Sequence, residues 1–328
     1  LEIDPKNIYA LGCRGNAKNE IYDYEGAIAD LSKALEINPR LYDAYRFRGD
    51  VKNSWDDFEG AIEDYSKALE INPEYYLGLT KRGYSRIKNK NYREAIEDFS
   101  KAININKSDC TNYFNRGISK KYINDFEGSI NDFDQAIKLN SSYVKCLQAR
   151  SGSKIVLNDY QSAIEDCSRV LKIISTNLDL NNSFERANYK NDKYRALTNR
   201  GHAKRELNDY PGAIEDFSTI LEMYSVDVST LSKRGHLKAL LNDHQSAIED
   251  FSKALMIKPE YRICYSRRGF SKWRLENFNG AIEDLTKAID IDSNDWIDFY
   301  IRGRAQCGLG NYQEAIKDFS STLKINPN

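Results

Sequence analysis

The sequence predicts an all-α solenoid assembled from nine copies of one 34-residue helix-turn-helix unit. Two observations carry that expectation: an Arg-Gly pair that returns at fixed spacing, and an Ala-Ile pair that follows it at constant distance. Arg-Gly stands at Arg14-Gly15, Arg48-Gly49, Arg82-Gly83, Arg116-Gly117, Arg200-Gly201, Arg234-Gly235, Arg268-Gly269 and Arg302-Gly303, with Arg150-Ser151 in the remaining copy. Successive offsets are 34, apart from one of 50. Twelve residues after each glycine, or after Ser151, come Ala27, Ala61, Ala95, Ser129, Ala163, Ala213, Ala247, Ala281 and Ala315, each followed at once by isoleucine.

With the glycine numbered as position 8, each half of a unit carries apolar or small residues at helical spacing, as in Ile8, Leu11 and Gly15 and again in Ile62, Tyr65, Ala68 and Leu69. Position 16 is Asp or Asn in every copy, a short acceptor suited to capping the second helix. Pro211 follows one such cap by two residues, where the first helical turn has no N–H bond to lose. Pro39, Pro73, Pro259 and Pro327 close second helices. Small residues at positions 8, 20 and 27 let helix axes approach to about 8–10 Å. One hairpin cannot cover its own apolar face, so each neighbour buries it and stability is roughly a sum of unit and interface terms. The units run 8–41, 42–75, 76–109, 110–143 and 144–177, then 194–227, 228–261, 262–295 and 296–328. Residues 1–7 match the tail of a preceding unit, so the chain is expected to begin inside a repeat. Between the fifth and sixth units lie 16 additional residues, 178–193, rich in Asn and including Phe184, Arg186 and Tyr189; they form a surface loop or extend an adjoining helix.

This pattern resembles the tetratricopeptide repeat (TPR) family over essentially the whole chain. The shared features are the 34-residue period, Gly at 8, Ala at 20 and 27, Pro at 32 and an aromatic at 17 (Tyr24, Phe58, Tyr92, Phe126, Tyr160, Tyr210, Phe278, Tyr312). The resemblance implies a right-handed superhelical α-solenoid. Two departures are regular. Position 7 is Arg rather than aliphatic, and position 11, commonly aromatic, is Lys or Arg in eight copies and Gln306 in the ninth.

Asp occupies position 23 in all nine copies, matching the nine arginines in number. In a hairpin turning near position 16, positions 7 and 24 face each other, so Arg at 7 can meet Asp at 23, as with Arg82 and Asp98. The expectation is an Arg-Asp ladder within or between units, a structural use of charge. Glu63 and Lys67, Glu97 and Lys101, Glu165 and Arg169, Glu249 and Lys253, and Glu283 and Lys287 stand at i,i+4 and are expected to pair on the solvated face, at about 0.2–0.5 kcal/mol each.

Composition excludes several functions. Forty-eight basic and 49 acidic residues leave a net charge of −1, which gives no general field for nucleic acid. No apolar run approaches the roughly 20 residues that span a bilayer, so membrane insertion is not expected. Cys13, Cys110, Cys146, Cys167, Cys264 and Cys307 show no CxxC spacing and read as thiols of a reducing cytoplasm. Within one hairpin, Cys146 and Cys167 read as buried small residues rather than a pair. Asn-x-Ser triplets at Asn106, Asn140 and Asn181 arise easily in an Asn-rich chain. No GxxxxGK[ST], HExxH, GxSxG or GxGxxG occurs, and no enzyme, cofactor or metal is implied. Asp290-Ile291-Asp292-Ser293-Asn294 imitates a calcium loop, but Asp295 stands where Gly is wanted and Ile301 where the bidentate Glu belongs.

The family resemblance implies that first helices line a concave surface through positions 2, 5, 9, 12 and 13, where a peptide lies. Carried onto this chain, repeats three to five supply Leu77, Tyr84, Ile87, Phe114, Ile118, Tyr122 and Ile155. Repeats six to nine supply Arg195, His202, Arg205, His236, Ile263, Phe270, Trp273, Arg274, Ile297, Tyr300 and Arg304, a mixture of aromatic and Arg that binding hot spots favour. The family's carboxylate-gripping set is not matched: Arg46 is followed by Asp50 and Thr80 by Tyr84, while Asn115 and Lys145 are isolated. The expected function is a cytoplasmic protein-protein interaction scaffold holding a peptide or protein partner. The alternative is the regulatory or substrate-recruiting arm of a larger enzyme. The last unit lacks a polar capping helix, so its apolar face is expected to be covered by further chain or by self-association with another copy.

Overall fold

The computed structural model describes residues 7–176 and 183–326, with the side chains of 183–187 left out. The described residues hold 18 helices and no strand, in two compact units, Leu1–Asn158 and Asp159–Asn328. In the first, α1 (Ile8–Glu20) pairs with α2 (Tyr24–Ile37), α3 (Tyr42–Ser54) with α4 (Phe58–Ile71), α5 (Tyr76–Lys88) with α6 (Tyr92–Ile105) and α7 (Cys110–Tyr122) with α8 (Phe126–Leu139), and α9 (Val144–Val156) packs on α8. In the second, α10 (Tyr160–Thr176) packs on α11 (Ser183–Glu206). Then α11 pairs with α12 (Tyr210–Met223), α13 (Val228–Leu240) with α14 (His244–Ile257), α15 (Arg262–Arg274) with α16 (Phe278–Ile291) and α17 (Trp296–Gly308) with α18 (Tyr312–Ile325). Each unit is a solenoid in which every helix touches the next in the chain, the arrangement that a repeating apolar pattern dictates.

The insertion is helical where it is described. Its residues from Ser183 onward lengthen α11 to 24 residues, against 13 in each other first helix. Residues 178–182 and the side chains of Phe184 and Arg186 lie outside the described residues, as do residues 1–6 and Pro327.

The caps follow the sequence with two exceptions. Asp23, Asp57, Asp125, Asp159, Asp209, Asp243 and Asn277 each accept from the backbone N–H three residues on, whereas Asn91 and Asn311 make no such bond. One feature of the turn has no sequence signature. Position 15 is left-handed in all nine copies, with φ between 58° and 77°; Asp56, Asn124, Asn158, Asn208, Asn242 and Gly310 suit that conformation, and Tyr22, Lys90 and Glu276 do not. Tyr22, Lys90 and Glu276 are held there by the cap on one side and the helix end on the other.

Glycine at position 8 marks where the two helices of a hairpin come closest. A Cβ on Gly117 would stand 2.6 Å from the Phe133 ring, and one on Gly83 would stand 2.9 Å from Phe99. Position 24 thus fills the space that position 8 leaves, and Tyr65, Phe99, Phe133 and Phe251 there are fully buried. The core continues between neighbours: Leu221, Leu231, Phe251, Leu255 and Cys264 belong to one cluster drawn from three successive repeats.

The Arg-Asp ladder is present within hairpins. Eight arginines at position 7 make two-pronged bonds to the Asp at 23, with Nε–Oδ2 of 2.7–3.0 Å and Nη2–Oδ1 of 2.5–2.7 Å. The remaining Nη1 donates to a hydroxyl at position 25 of the previous repeat: Ser32, Ser66, Ser100, Ser168, Ser218, Ser252 or Thr286, at 2.9–3.2 Å. Where that residue is Asp134, Arg150 forms a 2.5 Å ion pair with it instead. Position 11 explains its own departure from the family. Lys18, Lys52, Arg86, Lys120, Lys204, Lys238 and Lys272 give the same aspartate a second cation at 2.6–3.1 Å. Of the expected i,i+4 surface pairs, Glu283–Lys287 forms at 3.1 Å, but Lys67 turns to Glu70 at 3.0 Å, an i,i+3 neighbour equally within its reach.

Candidate partner-binding surfaces

Each unit presents its own row of first helices, and the residues predicted to bind a partner fall into two kinds. In the first unit Leu77 and Tyr84 are open to solvent, with Lys88 lying 5.4 Å from the Tyr84 ring centre. Ile87 and Ile118 are half-buried. Phe114 is turned into packing, its ring 5.0 Å from Tyr143 and 6.0 Å from Phe133. Tyr122 is exposed on one face and stacks on Tyr92 with the other, at 4.6 Å and 11°. Ile155 is half-buried.

Beside these residues the structure places polar networks that sequence reasoning missed. Asp50 accepts from Arg46 at 2.7 Å and from the Tyr65 hydroxyl at 2.7 Å, and Lys81 stands 3.3 Å away. Burial and Asp50 together raise the Tyr65 pKa. Tyr76 bonds Asp109, and burial, then that carboxylate, push its hydroxyl up to about 12. Asn112 donates to Tyr76 at 2.7 Å. The Tyr76 bonds to Asp109 and Asn112 tie α5 to the start of α7, and in the second unit Tyr194–Asp227 ties α11 to the start of α13 and Arg262–Asp295 ties α15 to the start of α17.

In the second unit Tyr300 and Ile297 are exposed, and Ile263 is as well. Arg304 bonds the Tyr300 hydroxyl at 3.0 Å and lies 5.1 Å from the Trp273 ring centre. Phe270 and Trp273 are half-buried and pack against the cluster of Ala281, Leu285, Ile301 and Ala305, so only part of each ring faces out. Arg274 lies 6.0 Å from the Phe270 ring centre and donates to Asn242. His202 approaches Arg205 at 2.9 Å, and Arg205 pairs with Glu206, its neighbour in sequence. Arg195 is exposed. His236 is half-buried; burial first, then Arg267 and Arg205, depress its pKa to about 4. Arg267, at position 6, was invisible to an argument that used positions 2, 5, 9, 12 and 13. Burial lowers its pKa, and Arg205 adds to the effect.

No group of three or more His, Cys, Asp or Glu side chains is arranged to hold a metal ion among the described residues. Nor is any described helix long and apolar enough to cross a membrane.

The tetratricopeptide repeat family model matches residues 42–75, 78–109, 228–261 and 264–295, two stretches in each unit. The chain is a TPR protein. Among solved structures it is similar to a TPR protein from Parabacteroides merdae, with 18% identity and a TM-score of 0.54 over 81% of this chain and 98% of that one. It is similar to YrrB, a TPR protein with an unusual peptide-binding site, at 21% identity and a TM-score of 0.51 over 62% and 96% of the two chains. It is also similar to PilF of Pseudomonas aeruginosa, at 18% identity and a TM-score of 0.52 over 66% and 92%. Identities this low speak to the fold alone. No curated protein matches the sequence. The TPR fold is that of scaffolds that hold other proteins, and in this TPR protein the second helices and ladder account for most of the charge repeated from copy to copy. Away from positions 7, 8 and 11, the first helices carry side chains that differ between copies.

Proposed function

We propose that this TPR protein is an interaction scaffold whose first-helix faces hold a peptide or protein segment. The observation that carries the reading is the exposure of large apolar and aromatic side chains on those faces: Leu77 and Tyr84 in one unit, Ile263, Ile297 and Tyr300 in the other, with Arg304 lying over Trp273 and Tyr300. Aromatic rings beside arginine are what well-desolvated contact points use. The peptide-binding site of YrrB supports the same reading by analogy of fold. Cys13, Cys110, Cys264 and Cys307 are free thiols, which supports a reducing compartment such as the cytoplasm.

Recovery of partners by the wild-type chain and by two variants tests the reading. Leu77→Ser with Tyr84→Ser alters the first unit's face, and Tyr300→Ala with Arg304→Ala alters the second, each at exposed positions that leave the core untouched. Met256→Ser, at 83% exposure on α14, is the control. Loss of specific proteins by one face variant and not by the control is expected. Equal recovery by all four chains overturns the reading.

A further inference from the structure

The second unit concentrates positive charge, only partly neutralised, on one row of helices in a protein whose net charge is −1. Positions 6, 9 and 12 of α11, α13 and α15 include Arg205, Lys233, Arg267, His202 and His236, and Glu206, which lies beside Arg205 and His202, is already paired with Arg205. Among the described residues neither Lys233 nor Arg267 has an ion pair, whereas the ladder arginines of the same helices, Arg234 and Arg268, similarly half-buried, each have a carboxylate. A half-buried guanidinium without a counter-charge is an unfavourable arrangement in isolation, and its neighbours make it worse: Arg205 disfavours the charged form of Arg267, and both disfavour protonation of His236. An incoming anion relieves all of these at once, and Arg presents the fork that a carboxylate fits with two parallel bonds. Next along the same row, the partly exposed faces of Phe270 and Trp273 add an apolar shelf.

We propose that the first-helix face of α11, α13 and α15 binds an acidic peptide segment, its side-chain carboxylates lodged among Arg205, Lys233 and Arg267 and an apolar side chain resting on Phe270 and Trp273. The proposal rests on the reading of first helices as the partner-binding face and adds the chemistry of the partner. Nucleic acid is disfavoured, because a phosphate backbone calls for an extended basic track, and here the excess spans three helices of a chain with net charge −1.

The test uses the whole chain and a fluorescent peptide with both ends blocked, Glu-Phe-Glu-Asp-Leu-Glu, against its Gln/Asn counterpart, the same peptide with a free carboxyl end, and oligouridine. Binding is read by anisotropy at about 50 and about 300 mM salt, where screening differs strongly. The acidic peptide is expected to bind at least about tenfold more tightly than its amide counterpart and to weaken with salt, a difference of about 1.4 kcal/mol. Arg267→Gln and Arg205→Gln each remove about tenfold, Arg267→Lys, which keeps the charge but loses the fork, removes less than Arg267→Gln, and Lys253→Gln, exposed on α14, changes nothing. Equal affinity for the amide peptide, lost on Tyr300→Ala, overturns the acidic-partner proposal and leaves the scaffold reading standing. Absence of binding, indifference to Arg267→Gln and Arg205→Gln, a strict requirement for the free carboxyl end, or tighter binding of oligouridine each overturn it too.

Discussion

Replacing Asp98 by alanine tests the physical account of the ladder. Asp98 is 1% exposed and accepts from Arg82 at 3.0 and 2.7 Å and from Arg86 at 2.6 Å. Arg82 and Arg86 are themselves largely covered, with 14% and 18% of their side-chain surface exposed. Removing the carboxylate therefore leaves two guanidinium groups with little water and no counter-charge. Breaking a buried pair in this way costs about 3–5 kcal/mol, whereas replacing all the partners with apolar groups is often near neutral. The expected loss for Asp98→Ala is about 3 kcal/mol, the lower end, because both arginines retain some solvent. Arg82→Met and Arg86→Met together with Asp98→Leu should recover more than half of it. Since a repeat array need not unfold in one step, the assay is urea unfolding by circular dichroism joined to hydrogen exchange resolved on α5 and α6. A loss below about 0.5 kcal/mol, or exchange in α5 and α6 no faster than in α17, would show that the ladder is a surface ornament rather than a support. The same change at Asp30 should matter less, since its Arg14 is 48% exposed.

Other outcomes follow from single observations. Lys90 sits at φ 63°, so Lys90→Gly should stabilise by about 0.5–1 kcal/mol in thermal melts, the relief of left-handed strain exceeding the added freedom of the unfolded chain. Gly117→Ala, which puts a methyl group 2.6 Å from Phe133, should cost about 1–3 kcal/mol, while Gly12→Ala, with nothing within 4 Å, should gain up to about 1 kcal/mol; similar effects at the two sites would refute the close-approach argument. His244 occupies the ring position 17, is 4% exposed, and neither ring nitrogen has a hydrogen-bond partner among the described residues, so His244→Phe should raise stability by about 1 kcal/mol or more. Burial, then Arg274, holds the pKa of His244 below its ordinary value, so the unfolded state binds the extra proton first. Wild-type stability should accordingly fall as pH drops below about 6.5, and fall less steeply in His244→Phe; parallel pH curves for the two chains would contradict it.

The fold was legible because its determinants are local and repeated. Gly at 8, Ala at 20 and an acceptor at 16 are one-residue signals copied many times, and the pairing of Arg82 with Asp98 could be read from a turn placed midway. What escaped needed a third dimension. The tie from Arg82 to Ser66 crosses between repeats at a hydroxyl that composition cannot distinguish from any other serine. The second cation, Arg86 on Asp98, looked in sequence like a departure from the family at position 11 and in structure proves to be part of the rung. Position 15 was hidden because tertiary context overrides the conformational preference of Tyr22 and Lys90. At the candidate surfaces a helical register says which side a residue is on, but not how deep. Phe114, expected to meet a partner, is half-buried with its ring beside Phe133 and Tyr143, whereas Arg267, one register position away from those considered, stands unneutralised.

The bond from each ladder arginine to the hydroxyl behind it has an implication for how such a chain changes over generations. The seam between neighbours is chemically the same at seven of the junctions, and the Asp134–Arg150 seam still accepts the same arginine. An in-frame gain or loss of 34 residues therefore brings together two edges that already fit. Length can drift by whole copies without inventing a new joint, and selection is left to act on the side chains that are not shared from one copy to the next.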